Sequence, residues 1–357
     1  MKAAVSRTPK APLVIEDLDL AGPGDGYVQV DIKAVAICHS DLIFIDGGWS
    51  DQTPAVYGHE AAGVVSAVGR DTPFAVGDKV LVTLLRGCGE CPCCTVGSRS
   101  YCTAERFVGV GSPLTDASGA SVTQGIATGA FAEGATVHHS QLAKLTGDIG
   151  WAEASLLSCG VITGYGAVTN AAQLPAGATA VVIGAGGVGL NAVQGAALSG
   201  ASKVIVIDIS EEKLEISRAF GATDTFLATE EKLDGKIRKL TGGGAGYVFV
   251  TVGSARAMDS AYSMMAVGGT TVIVGMTPAG HQSSFAPLML ADMSQRVIGS
   301  KMGKTVLERD IPALEQSYYD GKLKLDELVT GRFALDEIND AIDLTKRGVG
   351  VRNVIIL

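Results

Sequence analysis

The sequence predicts an α/β protein of two domains, one mainly β and one built on a doubly wound parallel sheet. Three observations carry that expectation. At 357 residues the chain exceeds one usual domain. Its first part is made of short runs of alternating apolar and polar residues broken by turn signals. From about residue 161, continuous apolar runs alternate with helix-like segments, the pattern of buried parallel strands joined by crossovers.

From Tyr27 to Cys38, apolar Val28, Val30 and Ile32 alternate with polar Gln29, Asp31 and Lys33, the period of a half-buried strand. Ala61–Val68 and Lys79–Val82, separated by Gly69, Asp71-Thr72-Pro73 and Gly77-Asp78, continue a twisted, turn-rich β region. Ala180–Ile183, Lys203–Asp208, Tyr247–Thr251 and Thr270–Gly275 are the expected parallel strands. Beyond Lys301 the chain reads as helices over Ile311–Tyr319 and Ala334–Lys346, then a strand over Asn353–Leu357. Residues 1–160 with 301–357 are therefore expected to form one domain, carrying a lobe at 87–102, and residues 161–300 the other.

Hydrophobic residues make up 47% of the chain and charged ones 18%, and the formal charge is -9, so a compact globular protein is expected and a nucleic-acid surface is not. No apolar run approaches the roughly 18 residues of a membrane span, and MKAAVSRTPK lacks an export signal. The expected location is the cytoplasm. Seven cysteines in that setting point to metal or thiol chemistry rather than disulfides.

Gly184, Gly186, Gly187, Val188 and Gly189 stand in GAGGVG, between a predicted strand and the small-residue helix Leu190–Ser199. There backbone can approach a pyrophosphate and helix amides point at it. Asp208 ends the next strand, 19 residues past Gly189. A carboxylate there accepts from the adenosine ribose hydroxyls and repels a 2′-phosphate, so NAD is expected over NADP. Lys213 is within reach of the same ribose or lies on a solvated helix face.

Cys88, Cys91 and Cys94 are spaced by two residues, and Cys102 follows after seven more. Such a loop can wrap one zinc ion with four thiolates, a closed structural site. Cys93 is a spare thiol or a ligand in place of Cys94. Cys38, His59 and Cys159 could form a second, open site with room for water or an alcohol, although separations of 21 and 100 residues do not by themselves bring them together.

Cys38-His39-Ser40-Asp41, Gly58-His59-Glu60 with Gly63, the four-cysteine lobe, Cys159-Gly160 with Thr163-Gly164-Tyr165-Gly166, and Gly184–Gly189 with Asp208 together resemble the zinc-containing medium-chain alcohol dehydrogenases over essentially the whole chain. The nearest branch holds the long-type primary alcohol dehydrogenases and the glutathione-dependent formaldehyde dehydrogenases. The resemblance implies a GroES-like catalytic domain, a Rossmann coenzyme domain, NAD and two zinc ions per chain. It makes Cys38, His59 and Cys159 the catalytic zinc ligands, Asp41 the group orienting His59, and Glu60 a carboxylate beside the metal that tunes it or briefly replaces water; a buried Glu60 paired with Arg352 is the alternative, compatible with that role. His39 and Arg352 match pyrophosphate contacts, and Thr163 and Val274 are further cofactor positions.

On the same resemblance, Ser40 takes the hydroxyl proton and passes it through the nicotinamide ribose. Ile43 replaces the histidine that often ends that relay, which leaves water as the acceptor. Neighbouring His138 and His139 read as an exposed turn. Trp49, Leu84, Tyr101 and Met276 would line an apolar pocket.

The expected reaction is oxidation of a primary aliphatic or aromatic alcohol to an aldehyde, and the reverse. Relatives acting on S-(hydroxymethyl)glutathione use an acidic residue and an arginine. Arg106 matches the arginine, but Trp49 stands at the acidic position, so that reaction ranks second, and a non-enzymatic NAD-binding scaffold ranks far below both. TGGGAGYVFV also departs from relatives that carry acids at Gly246 and Val250. The family favours a homodimer or homotetramer.

Overall fold

The computed structural model describes residues 1–49, 52–104 and 111–357. They divide into two compact units, Met1–Gly160 with Val306–Leu357, and Val161–Thr305.

In the first unit, strand Tyr27–Ala36 is the hub. Its Val28, Val30 and Ile32 side chains are buried while Asp31 is exposed, so alternation sets which face meets the core. It pairs antiparallel with Glu60–Val68, with Gly134–His138 and with Arg352–Ile356. Lys79–Thr83 and Leu142–Lys144 extend the sheet on one side, and Val329–Ala334 on the other. Gly63 faces the strand so closely that a β-carbon would come 2.1 Å from the carbonyl oxygen of Asp31, which explains the glycine in HEAAG. A smaller sheet runs in the order Val14–Asp17, Lys2–Ser6, Ala55–Val56, Ser121–Gln124, Leu114–Thr115 and Asp19–Leu20. Phe131, Leu18 and Ile32 are among the fully buried side chains of this unit's core, each worth roughly 1.5–3 kcal/mol relative to exposure.

The expected helix Ala334–Lys346 divides: Ala334 ends strand Val329–Ala334, Leu335–Glu337 is a single 3-10 turn, and the α-helix runs over Ile338–Lys346. The carboxylate of Glu337 accepts the Ala334 amide at 2.7 Å and closes the turn between them.

In the second unit the strands order as Asp224–Leu227, Lys203–Asp208, Thr179–Ile183, Ala245–Val250, Met265–Ile273 and Arg296–Gly299, all parallel. The order reverses at Thr179–Ile183, the switch point where such sheets bind ligands beyond their carboxyl ends. Helix Gly187–Leu198 is buried on nearly every side, which its glycines and alanines permit. A β-carbon on Gly164 would lie 2.1 Å from the Val188 carbonyl oxygen, so Gly164 lets two helices touch backbone to backbone. Among the described residues no helix is long and apolar enough to cross a membrane.

Candidate metal centre and dinucleotide loop

Cys38 caps helix His39–Ile45, and its amide donates to Oδ2 of Asp41 at 3.1 Å. The other oxygen, Oδ1, accepts the Gly58 amide at 3.0 Å and lies 2.9 Å from Nδ1 of His59. A carboxylate only accepts, so Nδ1 is assigned a proton, which leaves Nε2 as the ring nitrogen that would face a metal. Gly58 has φ +91°, and a β-carbon there would come 2.6 Å from the Phe131 amide nitrogen. Glycine is therefore required before His59 on two grounds.

Cys159 sits in a π-helical turn, Leu157–Val161, a local widening of the helix that is frequent at functional sites. Cys38, His59 and Cys159 each offer one donor atom, all within 4.8 Å of one another and all buried. Nε2 of His59 has no hydrogen-bond partner among the described residues. An uncompensated buried nitrogen facing two thiols fits a metal, and this donor set suits zinc with one coordination position to spare.

Glu60 opens its strand with Oε1 accepting the Gly160 amide at 2.9 Å and Oε2 paired to the guanidinium of Arg352. Burial pushes Glu60 up to about 7, against the pull of Arg352. Arg352 is itself buried, and its guanidinium is engaged on Glu60. A hydrogen bond from Cys159 holds Cys38 well below the usual thiol range, with His59 adding to the effect. Burial opposes charging His59, but Asp41 and Cys38 outweigh it and raise the imidazole.

The lobe brings Cys88, Cys91, Cys94 and Cys102 together, again within 4.8 Å. The sulfurs of Cys88 and Cys94 are 3.9 Å apart, as are those of Cys91 and Cys102. The Cys91 amide donates to the Cys88 sulfur at 3.1 Å, and that of Cys88 to Cys102 at 3.3 Å. Amide bonds, that from Cys94 foremost, bring Cys91 down to about 6. Cys93 is outside the group, and its carbonyl accepts the Ser98 amide. Four sulfurs converging with amide support fit a closed zinc site.

In the second unit, Gly184 follows strand Thr179–Ile183 with φ +101°, and a β-carbon on Gly189 would collide with its carbonyl oxygen at 1.8 Å. Helix Gly187–Leu198 starts there, capped by Gly186. Asp208 ends Lys203–Asp208, with Oδ2 accepting the Ala185 amide at 2.6 Å and Oδ1 that of Ser210 at 3.0 Å. Lys213 is half-buried in the first turn of the next helix, its amide bonded to Ser210 Oγ at 3.4 Å. Val274 follows strand Met265–Ile273, with its amide on the Val250 carbonyl. Thr163 is buried, and its hydroxyl reaches Met302 Sδ at 3.5 Å. Gly246 donates to Thr179 Oγ1 at 2.8 Å.

Among the other candidates, Ser40 is half-buried and His39 exposed in the first turn of their helix. Trp49 packs edge-on to Phe44, with ring centroids 5.3 Å apart, and Phe44 stacks on Tyr57. Leu84 and Tyr101 are half-buried and Met276 is exposed. Arg106 lies outside the described residues. The exposed turn expected at His138 and His139 is corrected: both are half-buried, because the His138 ring meets Tyr27 edge-on and its Nδ1 pairs with Ser140 Oγ at 2.9 Å. The role of Asp41 in holding both Gly58 and Cys38 was not legible in advance. The Asp three residues beyond Cys38, a capping-box spacing, is the signal that could have revealed the second of these contacts.

Residues 24–147 match the model of the alcohol dehydrogenase GroES-like domain, and 187–317 that of the zinc-binding dehydrogenase. Alcohol dehydrogenase class-3 of Drosophila melanogaster is 35% identical over 99% of this chain and 97% of its own length. An alcohol dehydrogenase zinc-binding domain protein from Burkholderia ambifaria superposes with TM-score 0.95 at 31% identity, covering 100% of this chain and 98% of that one. Benzyl alcohol dehydrogenase from Acinetobacter calcoaceticus gives 0.93 at 30%, covering 100% and 99%. The chain belongs to the zinc-containing medium-chain alcohol dehydrogenase family. Its general chemistry is accordingly zinc-dependent alcohol oxidoreduction with a nicotinamide dinucleotide.

Proposed function

We propose that this enzyme oxidises primary alcohols, aliphatic or aromatic, to aldehydes with NAD and catalyses the reverse, using a catalytic zinc held by Cys38, His59 and Cys159. The observation that carries the reading is the buried three-donor cluster with His59 Nε2 lacking a hydrogen-bond partner among the described residues. Cys88, Cys91, Cys94 and Cys102 would hold a second, structural zinc.

Bound zinc supplies Lewis acidity that favours loss of the alcohol's hydroxyl proton, and bound NAD supplies the hydride acceptor. The chain's own residues do the rest. Asp41 fixes the His59 ring and its tautomer through the 2.9 Å contact. Ser40 Oγ accepts the hydroxyl proton and hands its own outward, and with Ile43 in place of a histidine water receives it. Glu60, held by Gly160 and Arg352, places a carboxylate of adjustable charge beside the thiols. The amides of Gly187 and Val188, at the start of a helix, suit a pyrophosphate, and Asp208 suits the ribose hydroxyls.

An apolar alcohol is favoured by the Trp49, Phe44 and Tyr57 ring group, which puts aromatic surface where a thiol-adduct enzyme would need an acid. Likeness to a benzyl alcohol dehydrogenase agrees with this. Self-assembly to a dimer or tetramer draws support from strand Arg296–Gly299, which among the described residues pairs on one side only, and from exposed Phe285 and Leu288 in the segment leading to it.

The test is nicotinamide reduction with NAD and a panel of short aliphatic, long-chain and benzylic alcohols, and formaldehyde premixed with glutathione. Turnover of the simple or benzylic alcohols is expected. Turnover of the glutathione adduct alone would overturn the substrate assignment.

A further inference from the structure

Thr251 follows strand Ala245–Val250 and belongs neither to the glycine motif nor to the acidic strand end. Its amide donates to the Ile183 carbonyl at 3.0 Å. Its hydroxyl lies 2.9 Å from that same oxygen and 3.0 Å from the carbonyl oxygen of Gly184. A hydroxyl has one proton to give, and Ile183 already has an amide donor, so Gly184 gains most from it. The space around this contact is kept clear by glycine. A β-carbon on Gly184 would come 2.9 Å from Thr251 Oγ1, and one on Gly189 would come 3.0 Å from it.

The Gly184 carbonyl and the Ala185 N–H belong to one planar peptide unit, so fixing one end of the plane fixes the other. The Ala185 N–H is the donor to Asp208 Oδ2 at 2.6 Å. A chain of contacts thus runs from the Thr251 hydroxyl through a rigid peptide to the carboxylate assigned to the ribose. We infer that Thr251 is a positioning residue for the dinucleotide: its hydroxyl orients the Gly184–Ala185 peptide and, through it, Asp208. The inference rests on the proposal that this turn binds NAD. It adds that affinity and the preference for NAD over its 2′-phosphorylated form depend on a residue that contacts the turn from below.

The experiment measures dissociation constants of NADH and NADPH, by nicotinamide fluorescence, for the full-length protein and for Thr251→Val, Thr251→Ala and Thr251→Ser. Valine keeps the branched shape and removes the donor. Thr251→Val and Thr251→Ala are expected to weaken NADH about fivefold, the scale of one net hydrogen bond, and to weaken NADPH less, so the preference contracts. Serine is expected to restore both, which simple loss of packing would not allow. Unchanged NADH affinity in the valine and alanine variants would overturn the inference, as would equal loss for both nucleotides. If valine unfolds the unit, the alanine and serine proteins decide. Failure of the unsubstituted protein to bind NADH would instead reject the dinucleotide reading on which the inference stands.

Discussion

Asp41 and His59 meet at 2.9 Å through Oδ1 and Nδ1, and both side chains are wholly buried. The same carboxylate also holds the amides of Gly58 and Cys38, so it ties two of the three clustered donors to one rigid group. Asp41→Asn replaces one of the two accepting oxygens with an NH2 donor, so the Cys38 amide or the Gly58 and His59 donors lose their acceptor. Metal affinity or turnover is expected to fall about 10- to 100-fold. Zinc content after dialysis against a graded chelator measures it, and retention equal to the unsubstituted protein would remove Asp41 from this role.

The two cysteine clusters should respond differently to loss of one sulfur. Cys159→Ala is expected to abolish turnover and leave the melting curve nearly unchanged. Cys94→Ala should release one zinc and lower the melting temperature through the lobe. Circular dichroism with metal analysis separates the outcomes. Retained activity in Cys159→Ala with loss of fold would reverse the assignment of the sites.

Asp208 bonds Ala185 and Ser210 and would carry the charge that repels a 2′-phosphate. Asp208→Gly should lower the kcat/KM preference for NAD over NADP by about tenfold, or about 1.4 kcal/mol. Steady-state kinetics with both nucleotides would show it. Unchanged discrimination counts against the residue.

Glu315 is 1% exposed and accepts from the Thr146 amide and hydroxyl, the Gly147 amide and the Tyr319 hydroxyl. Removing it strands several donors, so Glu315→Ala should destabilise the first unit by about 3 kcal/mol. Urea titration would register this as a lower midpoint, and a shift within error would mean that the loop finds other acceptors.

Acid stability offers a smaller effect. A hydrogen bond from Lys144, with the Ala75 amide, holds Asp78 below the usual carboxylate range. A lowered folded value means that the contribution is present above the unfolded carboxylate range and is lost as pH falls through the folded value. The pair is near the surface, so Asp78→Asn should cost only about 0.5 kcal/mol at neutral pH. The melting difference between the two proteins should vanish at the acid end of a pH series, and a difference that grew there would contradict the sign.

The fold class was legible because its signals are local. Continuous apolar runs at Ala180–Ile183 and Lys203–Asp208 are strands in the structure, and GAGGVG falls on the turn between a strand and a helix. The cysteine lobe was legible for the same reason, as its spacings are short. The Cys38, His59 and Cys159 cluster was legible through the family resemblance rather than through spacing, because sheet pairing brings His59 beside Cys38 and a π-helical turn swings Cys159 in. Asp41 holding Gly58, and Glu315 holding the Thr146–Gly147 loop, also escaped notice, since one carboxylate looks like another until the backbone it serves is folded around it. The sequence pattern runs Ala334–Lys346 together as one helix because Leu335 and Ile338 continue a helical period through the 3-10 turn that Glu337 closes.

Strand Arg352–Ile356 pairs with the hub strand Tyr27–Ala36, and Arg352 reaches Glu60 across 292 residues of sequence. Between those partners lies the whole of the second unit, Val161–Thr305. A ribosome making this chain from its N-terminus therefore releases the nucleotide-binding half while the sheet of the metal-binding half still has a vacant seat. The half that begins first is completed last, and until then Glu60 waits without its arginine.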